Sequence, residues 1–333
     1  MDRSGWPEDN GKSQNYLAEP GKSNIIPAST ELLVQAEHDS MNIEIQPLRE
    51  ADIPPAMELK NVLGWNQTPE DWRRFLQLSP EGSFKAMQEG QLVGTGIAYV
   101  FDRVCWIGMV IVAEECRHQG VGRLIMTRCM RYGAERKCSL IVLDATREGV
   151  SLYGRLGFRP EFLVGTAQGR ISEQILAQLG APGYLEVRRV RHRDLEAIVT
   201  LEAEGHGAVR EALLVHLVKE HPGRGFVGFA PEGELQGFVL YRRGYHSVQV
   251  GPMIARDDET AAALLRSVFS DLISAGDEAA VILTVPMNNP GILKLILSCG
   301  LSVDPRLTRM TRGRRRLHAR EDLVYALSGP EKG

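Results

Sequence analysis

The sequence predicts a mixed α/β protein of two domains built on one repeated plan, and three observations carry that expectation. Residues Trp106 to Leu124 (WIGMVIVAEECRHQGVGRL) give a strand, a glycine-bearing turn and a helix in succession. From residue 42 to residue 166, apolar runs of strand length alternate with segments of helical spacing. The pattern then begins again at an offset near 142 or 143, the sign of a duplicated fold. A chain of 333 residues is long enough for two cores.

Residues 1–40 are rich in Gly, Pro, Ser, Asn and Lys without sustained periodicity, and read as a disordered N-terminal tail. Gly-Lys-Ser occurs there twice, at Gly11 and Gly21, but a P-loop needs glycine five residues earlier, where Trp6 and Tyr16 stand. Met41 sits where the folded pattern begins, so Met1 and Met41 both stay open as the start. Ile43 and Ile45 alternate as a short strand, and Asp52 is expected to cap a helix with prolines in its first turn. Asp71 to Leu78 suggests another helix. Phe84 to Met87 and Leu92 to Phe101 form two strands around a turn at Glu89-Gly90.

The strand Trp106 to Val112 follows. Its helix runs to about Lys137, with Val121, Leu124, Ile125, Cys129 and Tyr132 on one face. Leu140 to Asp144 is the next strand, and Glu148 to Leu156 the next helix, ended by Gly157. Phe162 to Thr166 is expected to close the sheet. Residues 171–180 read as a short linking helix stopped by Gly180 and Pro182. The expected division is a tail at 1–40, a first domain at 41–166, a linker at 167–183 and a second domain at 184–333.

Leu185 to Leu195 (LEVRRVRHRDL) repeats Ile43 to Ile53, and Glu234 to Tyr241 echoes Gln91 to Tyr99. Val281 to Val285 echoes Leu140 to Asp144, and Leu295 to Leu301 (LILSCGL) echoes Leu152 to Phe158 (LYGRLGF). The repeat is not functional in full. After its strand, the second copy reads VGPMIARDDETAAAL, and Asp257, Asp258 and Glu259 put negative charge where an anion would sit.

In the first copy the turn is Arg117-His118-Gln119-Gly120-Val121-Gly122. The first N–H groups of a helix have no intrahelical partners, and the helix dipole adds positive potential there, so a phosphate or pyrophosphate is the natural occupant. Gly120 and Gly122 let main chain approach it closely. A Walker turn would need Gly-Lys-Ser/Thr, and a dinucleotide fingerprint would need a third glycine. Neither fits.

What these residues resemble is motif A of the GNAT acyl-CoA N-acetyltransferases, R/Q-x-x-G-x-G/A, with Arg117, Gly120 and Gly122 at its fixed positions. The two-domain layout, with NNPGILKLILSCG and a late R-M-x-R-G, resembles the YitH-like subgroup of bacterial GNAT proteins over nearly everything after residue 41. The resemblance implies tandem GNAT-like domains, each a mixed, mostly antiparallel twisted sheet flanked by helices, with a degenerate second copy. It implies acetyl-CoA as co-substrate, held by Arg117, His118, Gln119, Gly120, Val121, Gly122 and Arg123. In that family the strand before the turn parts from its neighbour. Main-chain groups near Val110, Ile111 and Val112 would then be free for the pantetheine arm and the thioester oxygen.

By motif position Tyr153 is the candidate general acid, since a phenol can protonate the departing thiolate; the bland alternative is packing with Leu152 and Leu156. The second copy has Ile296 there. Asp144 is the candidate base, followed by Glu114; capping or fixing a loop competes for Asp144. The implied reaction is direct attack of a primary amine on acetyl-CoA in a ternary complex. The acceptor is expected to be a small-molecule amine, with a protein amine and a homodimer left open.

Composition limits the rivals. Hydrophobic residues make up 43% and charged residues 24%, with net charge -3, which gives no reason to expect nucleic-acid or membrane binding. No apolar stretch reaches spanning length, and the first thirty residues lack a signal h-region. Five cysteines without a C-x-x-C pair fit reduced cytoplasmic thiols rather than disulfides or zinc. His206, His216 and His221 lack metal-ligand spacing, so no metal is expected. Cys105, Cys116 and Cys138 keep an acyl-enzyme route formally open. The seven arginines from Arg306 to Arg320 lack interleaved aromatics and suggest a solvated face, an inter-domain contact or an acidic-substrate pocket. Two readings from other classes remain: an acyl-CoA-binding sensor with little catalysis, and a scaffold working through protein contacts.

Overall fold

The computed structural model describes residues 42–180, 183–276, 280–313 and 319–332. The expected tail, its Gly-Lys-Ser triplets and the start at Met41 lie outside the described residues. The first copy of the fold runs β1 (Ile43–Pro47), α1 (Ile53–Val62), α2 (Pro69–Leu78), β2 (Ser83–Gln88), β3 (Gln91–Phe101), β4 (Val104–Val112), α3 (Val121–Glu135), β5 (Leu140–Thr146), α4 (Arg147–Arg155) and β6 (Arg159–Arg170). After α5 (Glu173–Gln178) the second runs β7 (Glu186–Arg189), α6 (Leu195–His206), α7 (Glu211–Glu220), β8 (Gly225–Phe229), β9 (Leu235–Arg243), β10 (Val248–Ala255), α8 (Asp258–Ser274), β11 (Ala280–Pro286), α9 (Pro290–Ser298) and β12 (Ser302–Gly313). A last strand, β13 (Val324–Ala326), has no counterpart in the first copy among the described residues.

Local chemistry explains most boundaries. Gln88 pairs with Gln91, so β2 and β3 are joined by Glu89 and Gly90 alone, at φ 51 and 80. Positive φ at both central residues is the hairpin turn that matches strand twist. Thr68 and Asp71 form a capping box around α2, with Pro69 at its first position. The five residues expected on one face of α3 are all buried. Asp52 differs from expectation: its carboxylate accepts from the Arg49 N–H and pairs with Lys85, both at 2.7 Å, and it makes no cap to α1.

Thirteen strands form one sheet in the order β1-β2-β3-β4-β5-β12-β6-β11-β10-β9-β8-β7, with β13 beside β10. Among the described residues only β4 with β5 and β10 with β11 run parallel. The other pairings are antiparallel, as in Ile43 with Gln88 or Thr284 with Thr166. The centre departs from the expectation that Phe162 to Thr166 closes the first sheet. β12 of the second copy lies against β5, with Thr308 opposite Ala145, and β6 lies beyond it against β11. The copies have exchanged their last strands.

Three cores follow from this sheet. One lies under α3 and includes Ile125, Cys129 and Tyr153. Another lies under α8. The third is shared: Trp72 and Phe75 of α2 pack in one cluster with Trp106 of β4, Ile198 of α6 and Leu213 of α7.

Candidate active site

The parallel pair β4–β5 holds for three residues and then opens. Val104, Cys105 and Trp106 sit opposite Leu140, Ile141 and Val142, and beyond them no residue of β4 has a partner on β5. The cause is in β4 itself. Met109 has φ 51, the register against β3 slips between Thr95 and Ile97, and Thr95 Oγ1 donates to the Met109 carbonyl at 2.8 Å. Such a bulge bends a strand away from its neighbour. Ile111 and Val112 remain paired with β3, so the edge of β4 toward β5 has no strand beside it among the described residues.

The chain then turns through Glu114–Cys116 into Arg117 and α3. His118 has φ 62 and Gly120, the residue capping α3, has φ 89. Gly120 at the cap has no side chain to accept from the first N–H groups of this helix. Arg117 Nε donates to the Val112 carbonyl at 3.3 Å, and Gln119 Nε2 to the Glu115 carbonyl at 2.8 Å. Those bonds brace the turn while Arg117, His118 and Gln119 stay exposed. Leu152 of α4 and Val112 of β4 line the space beside Gly122, 3.4 and 3.6 Å from where a β-carbon would stand. The helix carrying Tyr153 therefore meets the turn and the open strand at one place.

Tyr153 is 8% exposed, its ring lying over Gly149 one turn earlier and 6.1 Å from the Phe158 ring. Burial pushes its hydroxyl above the ordinary phenol range, with a smaller contribution from Cys129. A phenol held protonated is a proton donor rather than a base.

Asp144 points to the opposite face, into the shared core. Arg309 of β12 holds both its oxygens, Nε to Oδ1 at 2.5 Å and Nη2 to Oδ2 at 3.0 Å, and its side chain is fully buried. The guanidinium lies 4.7 Å from the Trp106 ring centre and 5.2 Å from that of Phe162. The structure thus sets Asp144 apart from Tyr153 and engages it as the partner of an arginine, which suits positioning rather than proton removal. Glu114 is exposed near the turn. Arg309 was legible only as part of the arginine run; its neighbour Arg306 pairs with Asp304 on the surface, and residues 314–318 lie outside the described part.

All five cysteines are buried and free. Burial pushes Cys129 up to about 12 and raises Cys116, with Glu115 adding to the latter. Cys105 is raised, first by its hydrogen bond with Cys138 and then by burial, and Cys138 is lowered by that same bond, with Arg103 and Arg136 adding to it. Among the described residues no cluster of His, Cys, Asp and Glu could hold a metal, and no helix is long and apolar enough to cross a membrane.

The second copy repeats the geometry and fills it. Val248, Gln249 and Val250 face Val281, Ile282 and Leu283, and then β10 and β11 part. Here the opening holds β13: Met253 pairs with Ala326, Ile254 with Val324, and Leu327 bridges to Thr284. The following helix is capped by Asp257, which accepts from the Thr260 N–H at 2.7 Å. Asp258 of its first turn takes the Tyr325 hydroxyl at 2.6 Å. A strand occupies the groove, and carboxylates occupy the anion site.

Comparison with known proteins agrees. Residues 48–158 match a family model described as "Acetyltransferase (GNAT) family", and residues 198–326 match one described as "Acetyltransferase (GNAT) domain". YitH of Bacillus subtilis, an uncharacterized N-acetyltransferase, is 23% identical over 78% of this chain and 88% of its own. A solved structure from Pyrococcus horikoshii, described as a candidate acetyltransferase, superposes with TM-score 0.70 at 19% identity, covering 88% of this chain and 96% of that one. A tandem GNAT protein from the clavulanic acid biosynthesis pathway gives TM-score 0.61 at 11% identity, over 81% of this chain and 98% of that one. Acyltransferase is the class that the opened strand pair and its repeated fold define. Within that class the chain belongs to the GNAT acetyltransferases, and it carries two domains of the family in tandem.

Proposed function

We propose that the first copy moves an acetyl group from acetyl-CoA to the primary amine of a small molecule, both substrates being bound together. The observation that carries this is the contrast within one chain. The opening between β10 and β11 holds an extended, amide-bearing segment, β13, whereas the opening between β4 and β5 holds none among the described residues. The pantetheine arm of CoA is also extended and amide-bearing, and would lie along Val110, Ile111 and Val112. Its diphosphate would meet the N–H groups of Gly120 to Arg123, with Arg117, His118 and Gln119 around it.

In the reaction the amine nitrogen attacks the thioester carbon. Main-chain N–H groups of β4 beyond the bulge receive the charge that develops on oxygen. A C–N bond forms, the C–S bond breaks, and the departing thiolate takes the Tyr153 proton. The surplus proton of the amine passes to water, which returns a proton to the Tyr153 oxygen and restores it for the next turnover, while Asp144 keeps Arg309 in place beside the cleft. Five buried, unpaired thiols suit a reducing cytoplasm.

Calorimetry with acetyl-CoA, followed by release of CoA thiol across a panel of amines, tests the proposal. Binding with amine-dependent release supports it. Binding without release on any amine would make the protein a CoA-binding module instead.

A further inference from the structure

The chain does not end at β13. Leu327 donates to the Thr284 carbonyl at 2.8 Å, and its own carbonyl lies against Gly251 at the bulge of β10. Four residues on, the Glu331 main chain lies against Gly108, the matching glycine of β4. Any side chain at Gly108 would collide with the Glu331 carbonyl and Cα.

The segment between these two glycines is anchored at almost every step. Arg242 Nη1 donates to the Ser328 carbonyl at 3.0 Å, and Gln67 Nε2 to the Glu331 carboxylate at 3.0 Å. Lys332 pairs with Glu331 and sits over the Phe75 ring, while Arg210 donates to the Lys332 carbonyl. Ser328 and Lys332 are 0% exposed and Glu331 4%.

Its position relative to the reaction follows from strand alternation. Cys105 and Ile107 belong to the core under α3, the side of Tyr153, whereas Trp106 belongs to the shared core under α2. Gly108 follows Trp106 on that second side. An amine that reaches the thioester from the face of β4 away from Tyr153 would pass Glu331.

We propose that Gly329 to Lys332 form the acceptor-side wall of the catalytic opening. The wall holds a small amine against the thioester, keeps water from it, and bars an extended polypeptide from entering. It rests on the transferase reading given above. The second copy then has a use without chemistry of its own: its filled groove is the anchorage from which the wall is hung.

A chain ending at Ser328 keeps β13 and loses the wall. Three measurements on it and on the full chain decide the matter: acetyl-CoA binding by calorimetry, thiol release without amine, and acetylation of an unstructured peptide bearing a free N-terminus. The truncated chain is expected to bind acetyl-CoA as before, to hydrolyse it roughly five-fold faster or more once water is admitted, and to acetylate the peptide that the full chain refuses. Glu331→Ala keeps the length but removes the hydrogen bonds from Gln67 and Lys332 and the 3.7 Å ion pair with Arg242, and should shift both activities in the same direction. It decides the question if truncation prevents folding. Unchanged hydrolysis and an unchanged acceptor range in a folded variant would overturn the wall. Failure of the full chain to bind acetyl-CoA would overturn the transferase reading itself.

Discussion

Asp144 and Arg309 meet across the seam between the two copies of the fold, Arg309 holding both carboxylate oxygens at 2.5 and 3.0 Å with each side chain almost wholly buried. A buried charge stripped of its partner typically destabilises by about 3–5 kcal/mol, whereas replacing the pair together is far less harmful. Arg309→Leu should therefore lose about that much in urea unfolding. Arg309→Leu with Asp144→Leu should recover a good part of it. Additive losses would show that the two residues do not act on each other.

Tyr153→Phe removes a proton donor without removing the ring. Turnover should fall by about a hundred-fold, the lower range for a general acid, with acetyl-CoA affinity unchanged. Because burial raises the Tyr153 hydroxyl above its ordinary range, turnover of the wild type should show no loss from phenol ionisation below pH 10. Unchanged turnover in the variant would take Tyr153 out of the mechanism.

One acetyl-CoA should bind per chain, at the uncapped helix α3 and not at α8. Gly120→Ala places a β-carbon at φ 89, a conformation that disfavours L-residues by about 1–2 kcal/mol. It should weaken acetyl-CoA binding by about ten-fold if the turn relaxes to escape that strain. Calorimetric stoichiometry of two would contradict the filled groove of the second copy.

Acid should loosen the contact between the copies. Burial alone would raise the Asp71 carboxyl, but Arg242, Arg74, Lys332 and the Thr68 N–H together hold it well below the usual carboxylate range. A group with a depressed folded pKa contributes stability above its unfolded value, here 3.8, and loses it as pH falls toward the folded one. Stability should thus decline below about pH 4 in the wild type. In Asp71→Asn that decline should be shallower, from a baseline lower by about 3–5 kcal/mol. Equal slopes in the two chains would refute the assignment.

Much of this was legible from sequence, and the limits have physical causes. The unit from Trp106 to Leu124 was readable because its period changes from strand to helix at a glycine-bearing turn, and both signals are local. The duplication was readable because Leu152 to Phe158 and Leu295 to Leu301 keep their spacing. The exchange of β6 and β12 was not. Phe162 to Thr166 has the same apolar pattern whichever strand lies beside it, and pattern alone does not choose a neighbour. Nor was α7 readable, although Leu213, Leu214 and Leu217 share its buried face. Ser-Gly-Pro-Glu-Lys at residues 328–332 carries no apolar periodicity that would announce burial. Its burial comes from partners far away in sequence, such as Gln67, which lies 264 residues from Glu331. Asp144 is expected as a base from its place at the end of a strand, and nothing nearby in sequence announces its partner Arg309, 165 residues on.

The traded strands have a consequence for how such a chain can change over generations. A cut between β6 and β7 leaves each fragment with a raw sheet edge, β5 on one side and β11 on the other, of the kind that invites aggregation. Neither half can be discarded once the other depends on it. A duplicate freed from selection for chemistry is therefore kept in the lineage by backbone hydrogen bonds, as a splint that the working half can no longer do without.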